Sequence, residues 1–139
     1  MFWDASALVP VILAEERSQE IAALLVADAA PAIWWDSPVQ CASAICRRHR
    51  ENLLSTRQRD EGLQRLREIL PAIHVVPATG PVRDRAIRLL LSHPLRSADA
   101  QQLAAALVWC EEKPAGQDFV CLDQRLRESA EREGFRVLP

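Results

Sequence analysis

The chain has 139 residues, of which 49% are hydrophobic and 26% charged, and this composition fits one ordinary globular domain over residues 1–139. No apolar run is long enough to cross a membrane and no secretion signal is recognisable, so we expect a cytoplasmic protein without membrane partners. The formal net charge of −2 gives no indication of nucleic-acid binding, so any such function must come from a local arrangement of residues.

The first half of the chain predicts two strands separated by helices. An apolar strand over residues 1–3 ends at Asp4, and a helix follows it directly. Apolar residues at helical spacing predict a second helix over residues 18–28. The next strand spans residues 32–35, and a proline marks the first turn of the helix after it. Ser55 is the predicted N-cap of a longer helix.

The second half continues the same alternation. A strand over residues 73–76 precedes a helix over about 80–93, which a proline ends. A further strand spans residues 118–122 and ends at Asp123, where the last long helix begins. Residues 135–138 form a short final strand.

One further helix lies between these strands, and it carries an acid in its first turn. Ser97 is the predicted N-cap, and alanines and leucines follow. Leu103 and Leu107 form an apolar stripe, with Asp99 one turn before Leu103. Asp99 is therefore expected at the positive end of the helix, above its buried face.

The alternation of strands with helices or helix pairs predicts the fold class. It favours one central parallel sheet of four to five strands covered on both faces, a three-layer α/β/α fold. Right-handed crossovers place the carboxyl end of every strand at the same edge of the sheet. Open α/β sheets hold their ligands at that edge.

Three acids are expected at this edge. Asp4 and Asp123 each follow an apolar strand, and Asp99 opens a helix that starts there. Singly, they have structural explanations as a turn residue, a helix N-cap and a partner of the helix dipole. Together they would repel one another unless a cation compensates, and carboxylate oxygens suit magnesium or manganese. The arrangement predicts metal-assisted hydrolysis of a phosphodiester.

Four segments carry a resemblance to a known family. FWDASAL from residue 2, PLRSADAQQL from residue 94 and FVCLDQRL from residue 119 resemble the three best-marked motifs of PIN-domain proteins, most closely VapC-type toxins. WWDSPVQCASAI from residue 34 resembles the fourth. The resemblance covers nearly the whole chain and implies a PIN-like fold and an endoribonuclease that depends on Mg²⁺ or Mn²⁺. It also implies a homodimer that a VapB-type antitoxin neutralises by laying its tail across the active-site groove.

The resemblance assigns roles to particular residues. Asp4, Asp99 and Asp123 match the acidic catalytic and metal positions, and Ser6 matches the small hydroxyl residue that supports the site. Gln40 stands where the family has a glutamate, so one carboxylate is absent, which weakens metal binding and water activation. This glutamine is either a natural weakening or an inactivation introduced so that a toxic protein could be produced. Restoring a glutamate is expected to raise activity and metal affinity.

Two acids lie near position 40 on the same predicted helix. Glu51 is about three turns away, roughly 16 Å, and cannot replace the missing charge. Asp36 is one turn before Gln40 and is a candidate for partial compensation, although a capping role is the more ordinary one.

Arginines near the motifs are candidates for binding RNA phosphates or an acidic antitoxin segment. Arg96 stands out because it lies three positions from Asp99, and we predict that it binds substrate. The other candidates belong to charge clusters of a kind that is usually a solvated helix face: Arg47, Arg48, Arg50, Arg57 and Arg59.

Two other functions are considered beside the ribonuclease hypothesis. A non-catalytic PIN-fold protein that docks an antitoxin or RNA would also explain Gln40. A phosphotransfer or nucleotide-binding domain is disfavoured because the four glycines form no phosphate-binding loop.

The four cysteines form no Cys-x-x-Cys pair and are expected to be reduced. Leu53 and Leu54, with the stripe of Leu63, Leu66 and Leu70, form either a dimer surface or core.

Overall fold

Five short strands form a single parallel sheet in the computed structural model, which describes residues 1–15 and 18–139. The strands are β1 (Phe2–Trp3), β2 (Ala32–Trp34), β3 (His74–Val76), β4 (Asp118–Val120) and β5 (Arg136–Leu138). Their order is β3-β2-β1-β4-β5, with β1 at the centre and every pairing parallel. The predicted parallel sheet of four to five strands is therefore confirmed.

Helices cover both faces of this sheet. In the described residues they are α1 (Ala5–Ile12), α2 (Gln19–Ala27), α3 (Ser37–Arg50), α4 (Thr56–Ile69), α5 (Gly80–Ser92), α6 (Ser97–Trp109) and α7 (Gln124–Glu133), with a 3₁₀ turn at Leu70–Ala72. Residues of α1–α4 form one apolar core and residues of α5–α7 form the other. The result is the predicted three-layer α/β/α arrangement. None of these helices is long and apolar enough to cross a membrane.

Alternate residues of the central strands point into opposite cores. Phe2 and Phe119 face α5–α7 and stack with ring centroids 5.6 Å apart. Trp3 and Val120 face α1–α4. All four side chains are buried, so both central strands are apolar on both faces, as is typical of parallel strands covered by helices on each side.

The structure corrects two expectations about α6. Its residues from 102 to 107 are all buried, so the helix is enclosed almost all round and does not present a single apolar stripe. Small alanine side chains let α5, β2 and α7 pack closely against it. The N-cap is Arg96, and Ser97 is the first helical residue. The Asp99 carboxylate accepts a hydrogen bond from the Arg96 backbone N–H, so the cap comes from inside the helix.

Other local predictions have mixed outcomes. Ser55 does cap α4, through a capping box with Gln58. β4 ends at Val120, so Asp123 follows it after two intervening residues and not directly. All four cysteines are free thiols. Of the leucine stripe, Leu66 is buried in the core and Leu63 and Leu70 are partly buried against it, whereas Leu53 is 67% exposed.

Candidate active site

A cleft of about 570 Å³ opens at the carboxyl edge of the sheet. It lies where β1 and β2 end and where α1, α3, α6 and α7 begin. Five of the six predicted site residues line it: Asp4, Ser6, Gln40, Asp99 and Asp123. The structure therefore brings together acids that lie up to 119 positions apart in the chain.

Asp4 is the most buried acid of the cleft, with 5% of its surface exposed. It follows β1 and caps α1, and its Oδ2 accepts a hydrogen bond of 2.8 Å from the Ser6 backbone N–H. Its own backbone N–H donates to the Val120 carbonyl at 2.9 Å, which ties it to β4. Burial raises the pKa of Asp4, and the charge of Asp99 raises it further, although hydrogen bonds from Ser6 act in the opposite direction.

Ser6 and Cys121 join α1 to the loop after β4. The Ser6 Oγ accepts a hydrogen bond of 2.9 Å from the Leu122 backbone N–H. The Cys121 Sγ lies 3.6 Å from that Oγ and 3.7 Å from the Asp4 Oδ2. Burial raises the pKa of the Cys121 thiol, and the nearby charge of Asp4 adds to the effect, so the thiol stays protonated. Ser6 thus holds the loop that carries Asp123.

Asp99 and Asp123 form the more open side of the cleft. Asp99 is half-buried, and its Oδ2 accepts a hydrogen bond of 3.3 Å from the Arg96 backbone N–H. Burial raises the pKa of Asp99, with the charge of Asp123 adding to the rise, whereas that hydrogen bond and the charges of Arg125 and Arg96 oppose it. Asp123 is exposed and caps α7 by accepting a hydrogen bond from the Leu126 N–H at 3.0 Å. It therefore serves as an N-cap and as a wall of the cleft.

Gln40 belongs to a chain of hydrogen bonds that begins in the core. The Gln102 Nε2 donates to the Gln40 Oε1 at 3.1 Å, and the Gln40 Nε2 donates to the Asp36 Oδ2 at 3.1 Å. Gln102 is only 1% exposed, and the hydroxyl of buried Ser37 lies 3.0 Å from its Nε2. Asp36 occupies the N-cap position of α3, but its side chain makes no capping hydrogen bond.

The arginines predicted to contact RNA are not equivalent. Arg47 and Arg48 line the cleft. Arg48 is paired with Glu15, whereas Arg57 and Arg59 pair with acids of α4 itself, as expected for a solvated helix face. Arg96 is exposed and does not line the cleft, so its predicted contact with substrate stays a prediction.

Comparison with known protein families assigns the chain to one of them. A family profile for the PIN domain matches residues 1–131. The chain belongs to the PIN domain family. No curated protein gives a significant match to it. PIN domains are typically metal-dependent nucleases, so membership indicates a nuclease in general terms.

The donor set of this PIN domain fits a hard divalent ion. Within residues 1–15 and 18–139, no group of three His, Cys, Asp or Glu side chains is close enough to enclose a metal. Magnesium, however, keeps several waters and commonly takes only one or two protein carboxylates directly. The raised pKa values of Asp4 and Asp99 indicate that their ionised forms are disfavoured in the free protein, and a bound cation would offset this penalty.

The sequence patterns did not single out three residues beside this PIN domain's cleft. Gln102 lies three positions after Asp99 and so on the same face of α6, which was the available signal. Cys121 directly follows β4 at the edge where the acids lie. Arg125 was also missed, although its charge opposes the rise in the pKa of Asp99.

Proposed function

We propose that this PIN domain is a cytoplasmic endoribonuclease that uses Mg²⁺ or Mn²⁺, and that it is the toxin of a VapBC-type module, attenuated at Gln40. The supporting observation is that Asp4, Asp99 and Asp123 line one cleft, where burial and mutual repulsion raise the pKa of the first two. Acids in such an arrangement destabilise the free protein and become favourable when a cation binds.

The chain's own residues position the reacting groups. Asp4, Asp99 and Asp123 would hold the ion, which when bound supplies an activated water and neutralises charge on the phosphodiester. Ser6 keeps the loop of Asp123 next to Asp4 through the Leu122 N–H. Arg47 lines the cleft two turns along α3 from Gln40, about 10 Å away, where its guanidinium would bind an RNA phosphate.

The proposed antitoxin would lie across the same cleft. Trp35 and Val39 are exposed apolar residues next to it, with Val39 lining the cleft itself. Together with Arg47 they offer an apolar and cationic surface, which suits a VapB-type tail with apolar and acidic residues.

The non-catalytic alternative has less support. Gln40 removes one carboxylate, but the three acids that the resemblance assigns to the metal remain together in the cleft. A protein that only docks a partner has no need to hold three carboxylates, one of them buried, in a single cleft where they repel one another.

Chelation tests the proposal. Purified protein is expected to cleave structured RNA in Mn²⁺ or Mg²⁺, to lose all cleavage in excess EDTA, and to regain it when the ion is restored. Gel analysis of labelled RNA measures this, with Asp4→Asn protein purified in parallel as the control for contaminating nuclease. Undiminished cleavage in EDTA would contradict metal dependence. Saturable Mn²⁺ binding without any cleavage would favour the non-catalytic alternative.

We also propose a homodimer formed through α5. Ile87 and Leu91 lie one turn apart on this helix and are both exposed, Leu91 to 86%. Light scattering is expected to give a dimer mass for the wild type and a monomer mass for Ile87→Glu/Leu91→Glu, because buried charges at an apolar interface are strongly unfavourable. Leu53→Glu, at an exposed leucine outside α5, is the matched control and should stay dimeric. A dimeric double variant would rule out this surface.

A further inference from the structure

The orientation of the Gln40 amide is fixed from both sides. An ionised carboxylate only accepts hydrogen bonds, so the atom of Gln40 that faces Asp36 at 3.1 Å must be the nitrogen. The oxygen of Gln40 then faces the Gln102 Nε2, a donor, at 3.1 Å. Gln40 therefore presents its nitrogen to Asp36 and commits its oxygen to the core.

The anchor of this arrangement is the buried amide of Gln102. Gln102 is enclosed among the alanines and leucines of α6, and its amide contacts the hydroxyl of buried Ser37. Releasing the Gln40 oxygen would leave a buried amide donor unsatisfied, which costs free energy. Because its oxygen is held in this way, Gln40 is poorly placed to act as a neutral metal ligand in place of the glutamate.

The negative charge on this side of the cleft belongs to Asp36. Asp36 lines the same cleft as the other three acids, and its side chain makes no capping hydrogen bond to α3. Among the residues that the structure describes, its side-chain hydrogen-bond partner is the Gln40 amide, a neutral group. The charge of Asp36 is thus held in place without being neutralised.

We propose that Asp36 supplies to the metal site the carboxylate that position 40 lacks, with Gln40 and Gln102 as positioning residues that orient it; this rests on the proposed metal-dependent function. In this proposal the carboxylate comes from the N-cap of α3, one helical turn before the fourth residue of the helix, where the glutamate is expected. Gln40 is then matched to Asp36, since an amide nitrogen holds a carboxylate that a glutamate would repel.

This pairing sets a condition on restoring the glutamate. In Gln40→Glu alone, the new carboxylate would lie about 3.1 Å from the Asp36 carboxylate, which is the distance that now separates the Gln40 amide from it. The two negative charges would repel each other. The substitution that conserves charge is the double variant Asp36→Asn/Gln40→Glu. In Asp36→Asn alone, the asparagine oxygen still accepts from Gln40, so the hydrogen bond remains and only the charge is lost.

Calorimetric titration of the full chain with Mn²⁺ tests the proposal. Asp36→Asn is expected to weaken Mn²⁺ binding by about tenfold or more. Asp36→Asn/Gln40→Glu is expected to recover binding close to that of the wild type. Glu111→Gln, which removes an exposed acid outside both the cleft and α5, is the matched control and should bind as the wild type does.

A second measurement needs no metal. Thermal unfolding at neutral pH without divalent ions is expected to show Gln40→Glu less stable than the wild type, with stability recovered in the double variant, because the like-charge contact is then absent.

Several results would overturn the proposal. If Asp36→Asn binds Mn²⁺ as tightly as a wild type that does bind it, Asp36 is not part of the site, and the proposed function stands without it. If the double variant binds as weakly as Asp36→Asn, the acid has not been exchanged between the two positions. If the wild type neither binds Mn²⁺ nor cleaves RNA, the proposed function fails together with this inference.

Discussion

Asp4→Asn is expected to reduce metal-dependent RNA cleavage by at least about 100-fold. Removing a residue that only orients a metal ligand lowers activity by about 10- to 100-fold, and removing a ligand itself should lower it further. Asparagine has nearly the same shape, and its oxygen still accepts from the Ser6 N–H, so α1 keeps its cap. The change therefore removes the charge and little else. Initial rates of cleavage at saturating Mn²⁺ measure the effect. Asp99→Asn is expected to behave in the same way.

The control and a second readout separate lost chemistry from lost folding. Glu111→Gln removes an exposed acid that lies outside the cleft and outside α5, and it should cleave at the wild-type rate. Induction in a bacterial host is expected to arrest growth for the wild type, although weakly because of Gln40, and not for Asp4→Asn. An Asp4→Asn protein that folds and keeps more than about a tenth of the wild-type rate would remove Asp4 from the proposed mechanism.

The same substitution is expected to stabilise the metal-free protein at neutral pH. Burial raises the pKa of Asp4 above its ordinary value of 3.8, so ionising this carboxyl group costs more in the folded chain than in the unfolded chain. Below pH 3.8 the group is protonated in both states and the penalty is absent. The penalty grows as the pH rises above 3.8 and is complete once the pH exceeds the folded pKa. Asparagine, which does not ionise, avoids it.

Thermal unfolding over a range of pH in EDTA measures this difference. The melting temperature of Asp4→Asn should exceed that of the wild type at neutral pH, and the two should converge in acid. Saturating Mn²⁺ should reverse the order, because only the wild type gains stability by binding the ion. A variant less stable than the wild type at neutral pH without metal would show that the hydrogen bonds of the carboxylate outweigh its burial.

The sequence predicts the parallel sheet and the position of the acids at one edge of it, because both depend only on the order of strands and helices along the chain. Asp4 follows a strand directly, and parallel strands joined by helices end at one edge, so no knowledge of side-chain packing is needed. The position of Asp99 follows in the same way from the start of α6.

Contacts between side chains of different elements are harder to predict. From the sequence, Gln102 is an ordinary polar residue of an alanine-rich helix. In the structure it is buried, because other elements enclose α6 almost all round. Its bond to Gln40 joins residues 62 positions apart, and no local pattern encodes that contact. The role of Asp36 was ambiguous for the same reason, because a cap and a cleft residue have the same sequence signature.

The neighbours of β1 determine when the cleft can form. β1 pairs with β4, and Asp4 and Ser6 bond to backbone groups of Val120 and Leu122, so both sides of the cleft come from segments more than 110 residues apart. During synthesis, a growing polypeptide that has not yet reached residue 118 lacks the strand against which Asp4 is held. If the chain has the proposed harmful activity, we expect the nascent product to stay inert until almost all of residues 1–123 have emerged from the ribosome.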